Sequence, residues 1–157
     1  MKHLNEFITE MNHHKRDLNK YLEKFKIENL TNIPINLKKD ELLKRIAGYA
    51  IEEFIKITIQ SFNEDIKLID TEFKLYYDFE FNGDKFEVKS FQKGNKYSNV
   101  ILTKTQKKEK NNLIFILVEY QIENYQINIT NIEIEKGKNL RIIKVGNNYK
   151  LLRNIKE

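Results

Sequence analysis

Residues 113–120, LIFILVEY, run apolar for six positions before the first charge. A strand of that composition has no face to give to water, so it belongs inside a sheet with cover on both sides. The segments around it read differently. Residues 3–27 carry Leu4, Phe7, Ile8, Met11, Leu18, Leu22 and Phe25 at mostly three- and four-residue steps. That is the pattern of one long amphipathic helix or two short ones, with a weak stretch at Asn12 to Arg16. The only proline, in TNIPIN, separates this region from the next. A further helix is expected from Asp40 as N-cap to about Phe62, with Leu43, Ala47, Ala50, Phe54 and Ile57 on one face. Beyond residue 120, YQINITNIEIE and LRIIKVGNNYKLL read as strands, with turns at Glu123-Asn124 and Gly146-Asn147. The expected fold is α/β: a mixed central β-sheet flanked by helices, with an N-terminal helical extension.

At 157 residues and 40% hydrophobic content the chain can bury one real core, and a single domain over residues 1–157 is expected. There are no cysteines, which removes disulfides, thiolate zinc sites and cysteine nucleophiles and fits a cytoplasmic home. The N-terminus, MKHLNEFITEMNHHKRDLNK, is broken by charges too often to be a signal peptide, and no segment is long and apolar enough for a membrane span. Lys and Arg outnumber Asp and Glu by 28 to 23, a net charge of +5 that favours a polyanionic partner only mildly. No GxxxxGK[ST] segment is present, so no nucleotide cofactor is expected.

Chemistry concentrates in one hairpin. Residues 72–81, EFKLYYDFEF, and 85–91, KFEVKSF, read as two strands joined by Asn82-Gly83, the strongest short-range hairpin signal. A two-residue turn sets the register: Phe81 opposes Asp84, Glu80 opposes Lys85, Phe79 opposes Phe86, and Asp78 opposes Glu87. Side-chain alternation then puts Lys89 with Asp78 and Glu87 on one face, and Phe79, Phe86 and Val88 on the other, where they can pack on a core. Two carboxylates across a ladder repel. A divalent cation between Asp78 and Glu87 would offset this with hard oxygen ligands, the backbone carbonyl of Val88 serving as a third. Lys89 would lie beside it, placed to orient a water or steady charge on a phosphate oxygen. A plainer arrangement is a solvated charge ladder in which Lys85 and Lys89 neutralise the acids, each pair contributing about 0.2–1 kcal/mol.

The segment from Asp78 to Lys89, with a helix before it and FEVKS, a polar loop, a basic helical stretch and an apolar strand in that order, resembles the PD-(D/E)xK nuclease superfamily. That superfamily includes type II restriction endonucleases and Holliday junction resolvases, and the resemblance covers about residues 40–120. It implies Asp78 and Glu87 as metal-binding acids and Lys89 as the catalytic lysine. Tyr77 stands where the pattern has proline, Asp84 reads as a turn residue, and Glu80 is an alternative to Asp78 nearer the turn. Many members add an acid from the preceding helix. In resolvase-like sequences a glutamate four residues after a glycine has this role, which matches Gly48 to Glu52, whereas the helical projection puts Glu53 beside the apolar face.

Downstream lie Lys93, Lys96, Lys104, Lys107, Lys108 and Lys110, a stretch suited to phosphate-backbone binding and equally to a solvated lysine-rich loop. Gln106 resembles a glutamine found on the helix after the lysine in some relatives, where it serves positioning. His3, His13 and His14 lack ligand-spaced acids and read as surface residues. The tyrosines at 76, 77, 97, 120 and 125 can stack bases or fill a sheet surface. Taken with the resemblance, these residues imply a Mg²⁺-dependent endodeoxyribonuclease, Mn²⁺ substituting, that acts on double-stranded DNA as a homodimer, most simply of restriction type. A junction resolvase, a repair or homing nuclease, or a binding module without a working site would share the same core.

Overall fold

The structure, a computed structural model, describes residues 2–30, 39–63, 65–69, 76–94, 100–124 and 126–152, with side chains described for 4–24 and from 47 onward within those segments. Helices α1 (Lys2–His13), α2 (Lys15–Leu30) and α3 (Lys39–Phe62) come first, then strands β1 (Lys67–Leu68), β2 (Phe79–Phe81), β3 (Asp84–Gln92) and β4 (Ile101–Leu102). After helix α4 (Lys104–Glu109) come β5 (Leu113–Glu123), β6 (Gln126–Lys136), β7 (Arg141–Val145) and β8 (Asn148–Leu152). The described strands form a five-stranded sheet ordered β1-β2-β3-β5-β6 and a three-stranded sheet ordered β4-β8-β7. Only β3 and β5 run parallel in the larger sheet, so it is mixed. The described elements make a mixed α/β fold, a central mixed β-sheet flanked by helices.

Strand β5 lies inside the sheet and is covered on both faces, as its composition requires. Ile114, Ile116 and Val118 face the larger core, where Leu4, Ile8, Met11, Leu18 and Leu22 of the first two helices meet Ala47, Ile51, Ile55 and Ile59 of α3. Leu113, Phe115 and Leu117 face a smaller core closed by Val100, Leu102, Leu140 and Leu151. The second face is therefore covered by the small sheet; the first carries the three long helices.

The weak stretch in the N-terminal periodicity has a physical cause. Helix α1 gives way to α2 at His14, with i→i−4 bonds continuing through it, and the polar residues around this junction satisfy the outer edge of β6. Asn12 Oδ1 accepts from the Ile132 N–H at 2.9 Å, Asn19 bonds both the N–H and the carbonyl of Ile129 at 2.7 and 3.1 Å, and Lys15 Nζ donates to the Thr130 carbonyl at 2.9 Å. A bare edge strand invites pairing with another chain, and these side chains close it.

Helix α3 corrects the expected apolar face. Ile57 is 47% exposed, whereas Ile51, Ile55 and Ile59 are fully buried. The buried stripe is rotated relative to the expected one and is broad enough to retain Ala50 and Phe54. The side chains of Phe25, Asp40 and Leu43 lie outside the described residues. At the hairpin, Asn82 (φ 51°) and Gly83 (φ 82°) both take the left-handed backbone that a tight two-residue turn between twisted strands needs. The register is Phe81 to Asp84, Glu80 to Lys85 and Phe79 to Phe86, as expected, but the ladder stops there and the expected Asp78–Glu87 pair is not formed. The first strand is shorter than expected: Tyr76 to Asp78 form a bend, and residues 72–75 lie outside the described part.

Candidate active site

The bend before β2 decides where the first acid goes. The Asp78 N–H donates to the Phe86 carbonyl at 2.8 Å, the carbonyl of the partner already assigned to Phe79, so the ladder ends irregularly. The Asp78 carboxylate turns onto β3, where Oδ2 accepts from the Val88 N–H at 2.7 Å. Glu87, one residue earlier, is 7% exposed and shares a hydrogen bond with Asp78. Lys89 Nζ is 3.5 Å from Glu87 Oε1. Asp78, Glu87 and Lys89 are thus brought together, while Phe79, Phe86 and Val88 are buried in the larger core.

Helix α3 supplies the third acid through a close approach to β3. A Cβ at Gly48 would stand 3.1 Å from Ser90 Oγ, and that hydroxyl donates to the Gly48 carbonyl at 3.2 Å, so the helix sits nearly against the strand. One turn on, Glu52 Oε1 accepts from the Ser90 N–H at 3.0 Å and from Ser90 Oγ at 3.3 Å. Of the two acids left open by the sequence, Glu52 is the one turned to β3. Glu53 pairs with Lys56, and Lys56 Nζ also lies 3.6 Å from Asp78 Oδ1. Neither Lys56 nor Ser90 stood out in the sequence, although the four-residue step from Glu52 to Lys56 and the S of FEVKS were available signals.

The electrostatics follow from burial. Glu87 is pushed up to about 8, first by desolvation and next by the charge of Asp78; Lys89 opposes the shift and Glu52 adds to it. Glu52 is raised for the same leading reason, with Lys89 and the Ser90 hydrogen bonds pulling against it. Burial alone would lower the Lys56 ammonium, but its hydrogen bond to Glu53 and the charges of Asp78, Glu53 and Glu52 outweigh this and hold it raised. Burial and the charge of Glu52 likewise raise Tyr120. Four carboxyl groups therefore share two ammonium groups, which leaves two negative charges to be balanced if all ionise. This donor chemistry fits a hard divalent cation. The side chains are nevertheless occupied with protein donors, and among the described residues no group of three His, Asp or Glu side chains is arranged to hold a metal ion.

The remaining expected residues divide. Lys93, Lys104, Lys107 and Lys108 are exposed, and Lys96 lies outside the described residues. Lys107 Nζ stands 4.1 Å over the Tyr149 ring. Lys110 departs from the basic stretch: Nζ donates to the carbonyls of Gly137 and Leu140, both at 2.6 Å, and ties the turn before β7 to the turn before β5. Gln106 is buried at 5% exposure, forms a reciprocal cap with Thr103, and donates to the Tyr76 carbonyl at 3.1 Å. It therefore braces the bend that carries Asp78. Lys85 donates to Tyr76 Oη at 2.8 Å and lies over both the Tyr76 and Tyr77 rings. Those contacts turn it to the tyrosines, not to the acids of the expected charge ladder. Glu80 is exposed and accepts from Tyr77 Oη at 2.6 Å. His14 is exposed beside Glu10, Tyr120 is buried, and Tyr97 and Tyr125 lie outside the described residues.

No family model matches the sequence, and no curated protein matches it. Among solved structures the chain is similar to the NlaIV restriction endonuclease, with a TM-score of 0.53 and 14% sequence identity over 71% of this chain and 54% of that one. The chain thus spans about half the length of the enzyme it matches. At that identity the likeness is one of fold, a distant structural match to a restriction endonuclease.

Proposed function

We propose that this protein is a metal-dependent endonuclease that hydrolyses DNA phosphodiesters, of the small restriction type and acting as a homodimer on double-stranded DNA. The observation that carries the reading is the convergence of Glu52, Asp78, Glu87 and Lys89 where α3 meets the β2–β3 hairpin. Mg²⁺, or Mn²⁺ in its place, bound by Asp78, Glu87 and the Val88 carbonyl, would neutralise phosphate charge and lower the pKa of a bound water. Lys89 orients the attacking water or stabilises charge on the scissile phosphate, and Glu87 holds its ammonium in place. Glu52, fixed by Ser90, adds negative potential that draws a cation into the site. Gln106 keeps Asp78 in reach by bracing its bend, and Lys93, Lys104 and Lys107 supply phosphate-backbone affinity without sequence reading.

Incubation with supercoiled plasmid and phage DNA in Mg²⁺, Mn²⁺ or EDTA, beside Lys89→Ala, tests the proposal. Discrete fragments that vanish with EDTA and in the variant support it. DNA left intact under every condition, a branched junction included, refutes it. One observation favours a second reading, a binding module that keeps the fold: the carboxylates are already engaged by Val88, Ser90, Lys56 and Lys89. Such a module binds DNA with salt sensitivity but no need for a divalent cation.

A further inference from the structure

Lys56 is shared between two carboxylates, one on its own helix and one on the bend before β2. It is 12% exposed, one helical turn beyond Glu52, and its ammonium stands between Glu53 and Asp78. Asp78 Oδ2 accepts from the Val88 N–H, and Lys56 Nζ lies 3.6 Å from Oδ1, the other oxygen of that carboxylate. We propose that Lys56 is a gate, an internal cation that occupies Asp78 until a divalent metal displaces it, and that Glu53 is the seat to which it retires. This rests on the nuclease reading above and adds a control of metal entry to it.

The geometry supplies both halves of the exchange. An ammonium and a divalent cation cannot share one carboxylate oxygen without strong repulsion in a site this shielded. Lys56 has somewhere to go, because Glu53 already pairs with it from the same helix, three residues back. The flexible four-carbon stem lets the ammonium leave Asp78 while staying bonded to Glu53, with no movement of the α3 backbone. Lys56 is therefore a positioning residue whose effect is read in metal affinity.

Two variants of the one ion pair separate this role from simple stabilisation. Mn²⁺ binding to the full chain, measured by loss of the free-ion electron paramagnetic resonance signal, should tighten at least tenfold in Lys56→Met, which removes the competitor. It should weaken several-fold in Glu53→Gln, which removes the seat and leaves Lys56 bound to Asp78 alone. A pair that acted only by holding the fold together would weaken binding in both variants. Far-UV circular dichroism of each variant establishes that it is folded, and Lys56→Gln replaces Lys56→Met if the latter is not. Equal affinity in wild type and both variants, or weaker binding on loss of Lys56, overturns the gate while leaving a metal nuclease intact. Absence of Mn²⁺ binding in all of them overturns the gate and the nuclease reading together.

Discussion

Replacing Glu87 by Gln should stabilise the metal-free protein at high pH and leave it nearly unchanged at low pH. Glu87 titrates at about 8 in the folded chain against an ordinary 4.5, so the native state binds a proton there that the unfolded chain has released. The stability this proton confers is complete below pH 4.5 and is lost as pH rises through 8. At about 1.4 kcal/mol for each tenfold change in proton affinity, the interval corresponds to a ceiling of about 5 kcal/mol. The groups facing Glu87 set where within it the effect falls: Asp78 and Glu52 enlarge it, Lys89 reduces it. Urea unfolding in EDTA, followed by far-UV circular dichroism from pH 5 to 9, measures it directly. Glu87→Gln should match the wild type within about 1 kcal/mol at pH 5 and exceed it by about 2–5 kcal/mol at pH 9. Saturating Mg²⁺ should restore the wild type at pH 9 by linkage, about 2.7 kcal/mol at one hundred times Kd, and leave the variant unmoved. Parallel stability curves across the whole pH range would refute the reasoning, because they would mean Glu87 ionises in the fold as easily as in the unfolded chain.

Further outcomes follow from the same geometry. Gly48→Val should destabilise by about 1–3 kcal/mol in urea unfolding, since even a Cβ there is already 3.1 Å from Ser90 Oγ and a larger side chain must push α3 off β3. Asn19→Ala removes both partners of Ile129 and should cost about 1–3 kcal/mol, with concentration-dependent association seen by light scattering as the β6 edge is opened. Gln106→Ala should lose about 1 kcal/mol from the α4 cap and, by freeing the Tyr76 bend, weaken Mn²⁺ binding in the same titration used for Lys56.

How much of this could be read from the sequence depended on whether the signal was local. The Asn82-Gly83 turn fixes its own register because two left-handed residues in succession admit few connections, and β5 declares its buried position by having no polar face. Whether α1 and α2 are one helix or two is not local: the polar residues on either side of His14 answer to the backbone of β6, more than a hundred positions away. The same limit applied to α3. A single-stripe projection put Ile57 inside and Glu52 outside, but the helix is pressed onto β3 at Gly48, and that contact rotates the buried side toward Ile51, Ile55 and Ile59. Hairpin geometry groups Glu87 with Lys89 but sets Asp78 directly across from Glu87; the bend at residues 76–78 instead sends the Asp78 carboxylate to the Val88 N–H, and Lys56 meets Asp78 through that same bend, which no periodicity describes. Lys85 shows the converse case: ladder geometry offered it to the acids, and the neighbouring tyrosines hold it.

The measurement that bears most directly on the nuclease proposal is the rate of plasmid cleavage in Mg²⁺ with protein in excess, wild type beside Lys89→Ala, with thermal unfolding of both in the same buffer. Lys89 is 17% exposed and among the described residues pairs with one carboxylate, so its removal should change the unfolding temperature by no more than a few degrees while the rate falls about a hundredfold or more. A metal nuclease predicts that split between chemistry and folding. Cleavage that persists in Lys89→Ala at the wild-type rate, or that is absent from the folded wild type with every divalent cation tried, would contradict it.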